Sequence, residues 1–171
     1  MPHADKITNI IIDDPVSSFE IGYELGWTDG LPIVPPTDYR VSQFLERLNL
    51  SGDEIIGEIP ERRREITSKT IAANSVMAGC KPEYFPVVVT ASKAMLAPQF
   101  NLVGPSSSLG GSAILVIING PIIHDLGINS RGNLFGPGNR ANATIGRAIR
   151  LILMNACAAI PGLFDRSVIG H

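Results

Sequence analysis

The chain has 171 residues, enough for one domain with a core that needs no disulfide staples. Its 14 Lys and Arg against 16 Asp and Glu give a net charge of −2, which argues against nucleic acid as the main partner. Charged residues make up only 18% and hydrophobic ones 44%, with a mean hydropathy of +0.19, so part of the surface is expected to be hidden against another subunit, in a homo-oligomer or a hetero-oligomer.

Residues 1–6 read as a flexible tail, and 7–171 as a single domain. Ile7 to Ile12 reads as a short strand. Val16 to Trp27 has Phe19, Tyr23 and Trp27 on one side of a helix. Thr28 to Thr37 is stiffened by Pro32, Pro35 and Pro36, which fix φ and push their predecessors into extended geometry. A second helix is predicted over Asp38 to Leu48, with Val41, Phe44, Leu45 and Leu48 inward. Glu54 to Ile59 alternates like a strand and stops at Pro60. Ile66 to Gly79 reads as a helix rich in small residues, which lets a neighbour approach closely. Glu83 to Leu96 is another helix, with Pro82 in its first turn. Ala113 to Ile118 reads as a buried strand ended by Asn119-Gly120-Pro121. A short helix over Ile122 to Leu126 and a long one over Ala141 to Ala159 complete the chain. Helices alternating with short strands predict an α/β or α+β fold, a single layered domain with several helices packed on a small sheet.

The segment Asn129 to Arg150 holds four Asn, four Arg and four Gly within 22 residues. Gly136, Pro137 and Gly138 break any regular element, and an amphipathic helix follows. A Gly-rich loop feeding a helix start aims free backbone amides at one place, with the positive end of the helix dipole behind them. Arg140 can grip a carboxylate or phosphate with two bonds. Asn133, Gly136, Gly138, Asn139, Arg140, Asn142 and Thr144 are therefore candidate substrate-binding residues for a small anionic metabolite. The competing account is a long polar turn in which Asn139 or Asn142 is the N-cap and Thr144 a polar first-turn residue. The loop is neither a P-loop, lacking Gly-Lys-Ser/Thr, nor a dinucleotide fingerprint, lacking the third glycine. Asn142-Ala143-Thr144 matches the N-glycosylation pattern, with nothing else pointing to secretion.

Cys80 lies between two predicted helices. The end of the first raises its pKa, while the start of the next and Lys81 lower it, and the lowering pair is expected to win if Cys80 occupies the N-cap side. Cys80 is thus a candidate nucleophile, against a small buried hydrophobe at a helix corner. Asp29, held by Gly30 and the following prolines, is a candidate general base or an Asx-turn cap. Asn74, with Thr70 one turn earlier, is a polar core bridge or a substrate contact. Cys157 reads as core, and the Arg62-Arg63-Arg64 run, among Glu58, Glu61 and Glu65, as a solvated turn. His124 is the one histidine away from the termini, leaving little for a triad or a metal site. No metal site and no cofactor are legible. No apolar run approaches the ~20 residues that span a bilayer, and residues 1–6 lack the features of a signal peptide, so no membrane association and a cytoplasmic location are expected.

Three motifs together resemble an uncharacterised bacterial family: Trp27-Thr28-Asp29-Gly30-Leu31-Pro32-Ile33-Val34-Pro35-Pro36-Thr37, Met77-Ala78-Gly79-Cys80-Lys81-Pro82-Glu83-Tyr84, and Asn133-Leu134-Phe135-Gly136-Pro137-Gly138-Asn139-Arg140-Ala141-Asn142-Ala143-Thr144-Ile145-Gly146-Arg147-Ala148. That family is associated with the UGSC selenoprotein-like proteins, themselves similar to reductase subunits that handle glycine and proline. The resemblance runs from about Phe19 onward. It implies that the chain is similar to the N-terminal half of a longer protein, with a second subunit supplying the rest, and it favours thiol or selenol chemistry. It implies no established activity.

The expected function is a subunit of a small-molecule enzyme, an oxidoreductase or lyase, that binds an anionic substrate and cleaves a bond with Cys80 or Asp29. The rival is a non-catalytic subunit that binds and stabilises a catalytic partner chain. A third reading, a small-ligand sensor, needs a pocket without an activated nucleophile.

Overall fold

Side-chain caps set where the helices of this chain begin. In the structure, a computed structural model that describes residues 14–169, the Asp14 carboxylate accepts the Val16 and Ser17 amides at the start of α1 (Pro15–Glu24). Thr37 accepts the Arg40 amide at the start of α2 (Asp38–Arg47). Each cap satisfies a donor that helix geometry leaves without an intrahelical partner, worth about 1 kcal/mol. The predicted tail at 1–6, the strand at Ile7–Ile12, His3 and His171 lie outside the described residues.

After α2 comes a hairpin of β1 (Ile55–Ile59) and β2 (Arg64–Thr67), antiparallel, with Glu58 opposite Glu65 and Ile59 opposite Arg64. The sequence reading missed β2. Its residues alternate outward and inward, with Ile66 fully buried, and Thr67 then turns strand into helix by accepting the Thr70 amide. That cap starts α3 (Ser68–Met77) two residues later than the helical pattern alone predicts. A single 3₁₀ turn at Pro82–Tyr84 leads into α4 (Phe85–Leu96), and α5 (Ile122–Asp125) and α6 (Arg140–Asn155) follow. Among the described residues the fold is α+β, six α-helices packed around one two-stranded sheet.

α3 is central, with α2, α4 and α6 all packed on it. Its small side chains allow this: Ala72, Ser75 and Ala78 are buried, as the small-residue pattern predicts. Phe44 of α2 meets Phe85 of α4 edge to face, 5.5 Å between ring centroids. Ile66, Ile71, Val88, Leu151 and Ile152 fill the remaining interior.

Ala113 to Ile118 differs from the expected buried strand. Ile114, Val116 and Ile118 pack against the core, while Leu115 and Ile117 are 64% and 76% exposed. The alternation is that of a strand, but among the described residues no strand pairs with it. Among the described residues no helix is long and apolar enough to cross a membrane.

Candidate functional site

The three motifs come together around the first half of α6. Just past the end of α1, Gly26 takes φ +72° and carries the chain into a tight reversal, with the Trp27 amide bonded back to the Gly22 carbonyl at 2.8 Å. The following turn is self-bonded: the buried Thr28 hydroxyl donates to the Leu31 carbonyl and accepts the Gly30 amide at 3.2 Å. This turn presents Asp29 to α6, where Arg147 donates from Nε at 3.0 Å and from a terminal nitrogen at 2.8 Å, one to each carboxylate oxygen. The same terminal nitrogen reaches the Leu31 carbonyl at 3.1 Å.

The second motif arrives by the same device. Past the α3 end, Gly79 takes φ +85°, its amide bonds to the Val76 carbonyl and the Cys80 amide to the Ser75 carbonyl. The Gly79 carbonyl thereby faces Arg140, which donates to it from Nε at 3.1 Å and from a terminal nitrogen at 2.9 Å. The Cys80 thiol donates to the Thr144 carbonyl at 3.3 Å, and the Thr144 hydroxyl to the Arg140 carbonyl at 2.7 Å.

The third motif is held mostly by its own asparagines. Asn139 is the N-cap of α6, accepting the Asn142 amide at 3.0 Å while donating to the Gly127 carbonyl at 2.8 Å. Asn142 accepts the Asn129 amide and donates to the Asn129 and Leu134 carbonyls, all within 3.0 Å. Asn133 donates to the Pro137 carbonyl, and a Cβ on Gly136 would lie 1.9 Å from its side-chain oxygen, so a side chain at 136 would have to displace the Asn133 amide. Gly138 takes φ +108° just before the cap. The 133–138 tip is on the surface, with Phe135 85% exposed.

These contacts correct the expectation for Cys80 and bear on the two alternatives for Asp29, whose Oδ1 accepts the Leu31 amide at 3.4 Å as an Asx-turn cap does. Burial pushes the Cys80 thiol up to about 11, and its bond to Thr144 and the nearby Arg140 charge offset only part of that. A lowered pKa was expected from Lys81 and the next helix, but Cys80 lies inside the corner, where desolvation dominates. Asp29 is not a free base. Burial works against its charge, yet the hydrogen bonds and charge of Arg147, with the Leu31 amide, outweigh this and hold the carboxyl below its ordinary value. Asn74 is a buried bridge: it donates to the Thr70 carbonyl at 2.8 Å and accepts from Asn155 at 2.7 Å, and Asn155 also donates to the Trp27 carbonyl at 2.9 Å.

Sequence reasoning missed Arg147, Asn155 and Arg62. A charged or amide residue on the apolar flank of a helix was the available signal for the first two. Arg62 leaves the solvated run altogether, donating to the Cys157 carbonyl at 2.6 Å and to the Ser106 and Ser107 hydroxyls.

The first turn of α6 carries no acidic residue, and Arg140 and Lys81 are both exposed. Among the described residues no group of three or more His, Cys, Asp or Glu gathers as a metal would require. Comparison with protein-family models, with curated proteins and with solved structures finds no match to this chain.

Proposed function

We propose that this chain is one subunit of a small-molecule enzyme, receiving the carboxylate or phosphate of an anionic substrate at the N-terminal mouth of α6. The observation that carries this reading is the meeting of the 77–81 and 129–144 segments at that helix start, where Arg140 and Lys81 are exposed and no first-turn acid offsets the dipole, with the 27–31 turn tied to Arg147 two turns further along. Cys80 and Asp29 are engaged by Thr144 and Arg147, so the reactive groups of a redox or lyase-type cleavage come, on this proposal, from a partner chain. Two buried free thiols suit a cytoplasmic location.

A second reading, a non-catalytic subunit that stabilises a catalytic partner, is favoured by the exposed Phe135 and by asparagines already bonded within their own loop. Titration calorimetry with inorganic phosphate and with acetate separates the two. Under the enzyme-subunit reading, Lys81→Ala weakens phosphate binding with no change in melting temperature, because Lys81 is exposed. Arg140→Lys weakens it by roughly ten- to hundredfold, since Lys loses the planar fork. Melting drops with no anion binding in the parent chain would instead make the α6 mouth scaffold.

A further inference from the structure

We propose that Asn119 is a site of spontaneous covalent modification, losing its side-chain amide to attack by the Gly120 backbone nitrogen and leaving aspartate or isoaspartate beside α4. The inference goes beyond the subunit reading and does not depend on an anion at α6.

Asn119 is the only asparagine in the chain that glycine follows. With no Cβ on residue 120, no side chain shields the nitrogen that must reach the Asn119 Cγ. Both residues are exposed, and a Cβ built on Gly120 would meet no atom within 4 Å. Gly120 takes φ +100° in the turn ahead of α5, and its amide donates to no carbonyl among the described residues.

The other described asparagines are held or hindered. Asn129, followed by the small Ser130, donates to the Gly132 carbonyl and accepts the Arg131 amide. Asn133, Asn139, Asn142 and Asn155 each bond through the side chain, and Asn74 is both bonded and buried. Asn49 and Asn101 precede leucines, whose side chains crowd the attacking nitrogen. The Leu50 amide is also tied to the Leu45 carbonyl at 3.0 Å.

The reaction needs only water. The Gly120 amide gives its proton to solvent base as its nitrogen bonds to the Asn119 Cγ, and the Cγ–Nδ2 bond breaks to release ammonia. Water then opens the five-membered imide. Attack at Cγ breaks its bond to the Gly120 nitrogen and leaves aspartate in the original backbone. Attack at the Asn119 backbone carbonyl carbon breaks the other bond to that nitrogen and leaves isoaspartate, with the chain one atom longer. Nothing is oxidised or reduced, and both products carry a carboxylate.

That charge enters uncharged ground. No Asp, Glu, Lys or Arg occurs from Ala94 to Ile123, and Asn119 lines an apolar groove of about 430 Å³ between α4 and residues 114–118. The modification gives the groove its first charged lining residue and marks the age of the folded chain. The bond from the Ile123 amide to the Gly120 carbonyl, at 3.2 Å, lies beyond the altered link, so the start of α5 is kept.

The test is to incubate the folded chain in mildly alkaline buffer, digest it and map it by mass spectrometry, with isoaspartate counted by an isoaspartyl methyltransferase. We expect a gain of about one mass unit and one negative charge per chain, confined to Asn119 and slower in mildly acidic buffer. Asn119→Gln abolishes it, because the longer side chain must close a less favoured six-membered ring. In urea the gain spreads to Asn129, whose side-chain bonds are then lost. No gain at Asn119 in the folded chain, a gain at folded Asn129 as fast as at Asn119, or isoaspartate undiminished in Asn119→Gln overturns the proposal.

Discussion

Arg147 decides what Asp29 is for. With two nitrogens on the carboxylate at 3.0 and 2.8 Å, the pair ties the turn after α1 to the middle of α6. Both side chains are mostly shielded, at 21% and 16% exposure, so removing one leaves the other with an unmet charge in a poor solvent. We expect Arg147→Met to cost about 1.5–3 kcal/mol in urea unfolding, with Asp29→Asn costing less because the amide keeps one acceptor. The carboxyl sits below its ordinary value in the folded chain, so its stabilisation is present above the unfolded pKa and is lost as pH falls through the folded one. Melting temperature should therefore fall below about pH 4, and less steeply in Asp29→Asn. The thiols carry the opposite sign. Burial lifts Cys80 to about 11 and Cys157 to about 12, from 9.0, so stability is lost as pH rises from 9.0 through those values. At neutral pH both should resist iodoacetamide until the chain is denatured. Rapid labelling of Cys80 in the folded protein would restore it as a nucleophile.

At the scale of elements, what the sequence made legible was local. The helix of small residues, Pro82 ahead of α4 and the Asn139 cap all depend on neighbours a few residues away, and all stand in the structure, whereas the stop at Gly26 was missed and the first helix was read through to Trp27. β2 was illegible because it merges into α3 without a break: helical spacing took in Ile66 and Thr67, and the charged run took in Arg64 and Glu65. The candidate site shows the same division. Gly-rich loop, cap and arginine were visible, but Arg147 meets Asp29 across 118 positions, and no local pattern marks that distance. Gly79 tests the device that delivers the second motif. Gly79→Ala meets only ordinary contact, Thr144 Cγ2 at 3.7 Å, so its cost should be the left-handed backbone alone, about 1–2 kcal/mol. Gly57→Ala is the contrast. Its new methyl would lie 2.8 Å from Leu96 Cδ1 and 2.9 Å from Leu96 Cβ, forcing β1 from α4, for about 1–3 kcal/mol. Urea unfolding of the two variants checks both magnitudes.

For the molecule as a whole, the region after α6 has almost no regular structure of its own, and two arginines hold it. Arg150 bonds Asp165 at 3.3 Å, and Asp165 in turn accepts the Ser167 hydroxyl at 2.9 Å. Arg62, projecting from the hairpin turn, reaches the Cys157 carbonyl and the Ser106 and Ser107 hydroxyls, with its guanidinium 5.4 Å from the Phe164 ring centroid. One planar group thus joins the hairpin, the 105–107 turn and the 157–165 turn, which no stretch of sequence places side by side. A Lys at this position keeps the charge but has a single nitrogen, and one ammonium cannot span a carbonyl and two hydroxyls in separate directions. Arg62→Lys should therefore loosen the 157–167 region by about 1.5–3 kcal/mol while leaving the α3-centred core folded. Arg166 is exposed and lies inside the released segment, so trypsin reports the opening directly. Where cleavage follows the population of the open form, that loss predicts roughly ten- to hundredfold faster cutting after Arg166. Unchanged cutting together with a lower global melting temperature would mean that Arg62 belongs to the cooperative core, and that the region after α6 does not open by itself.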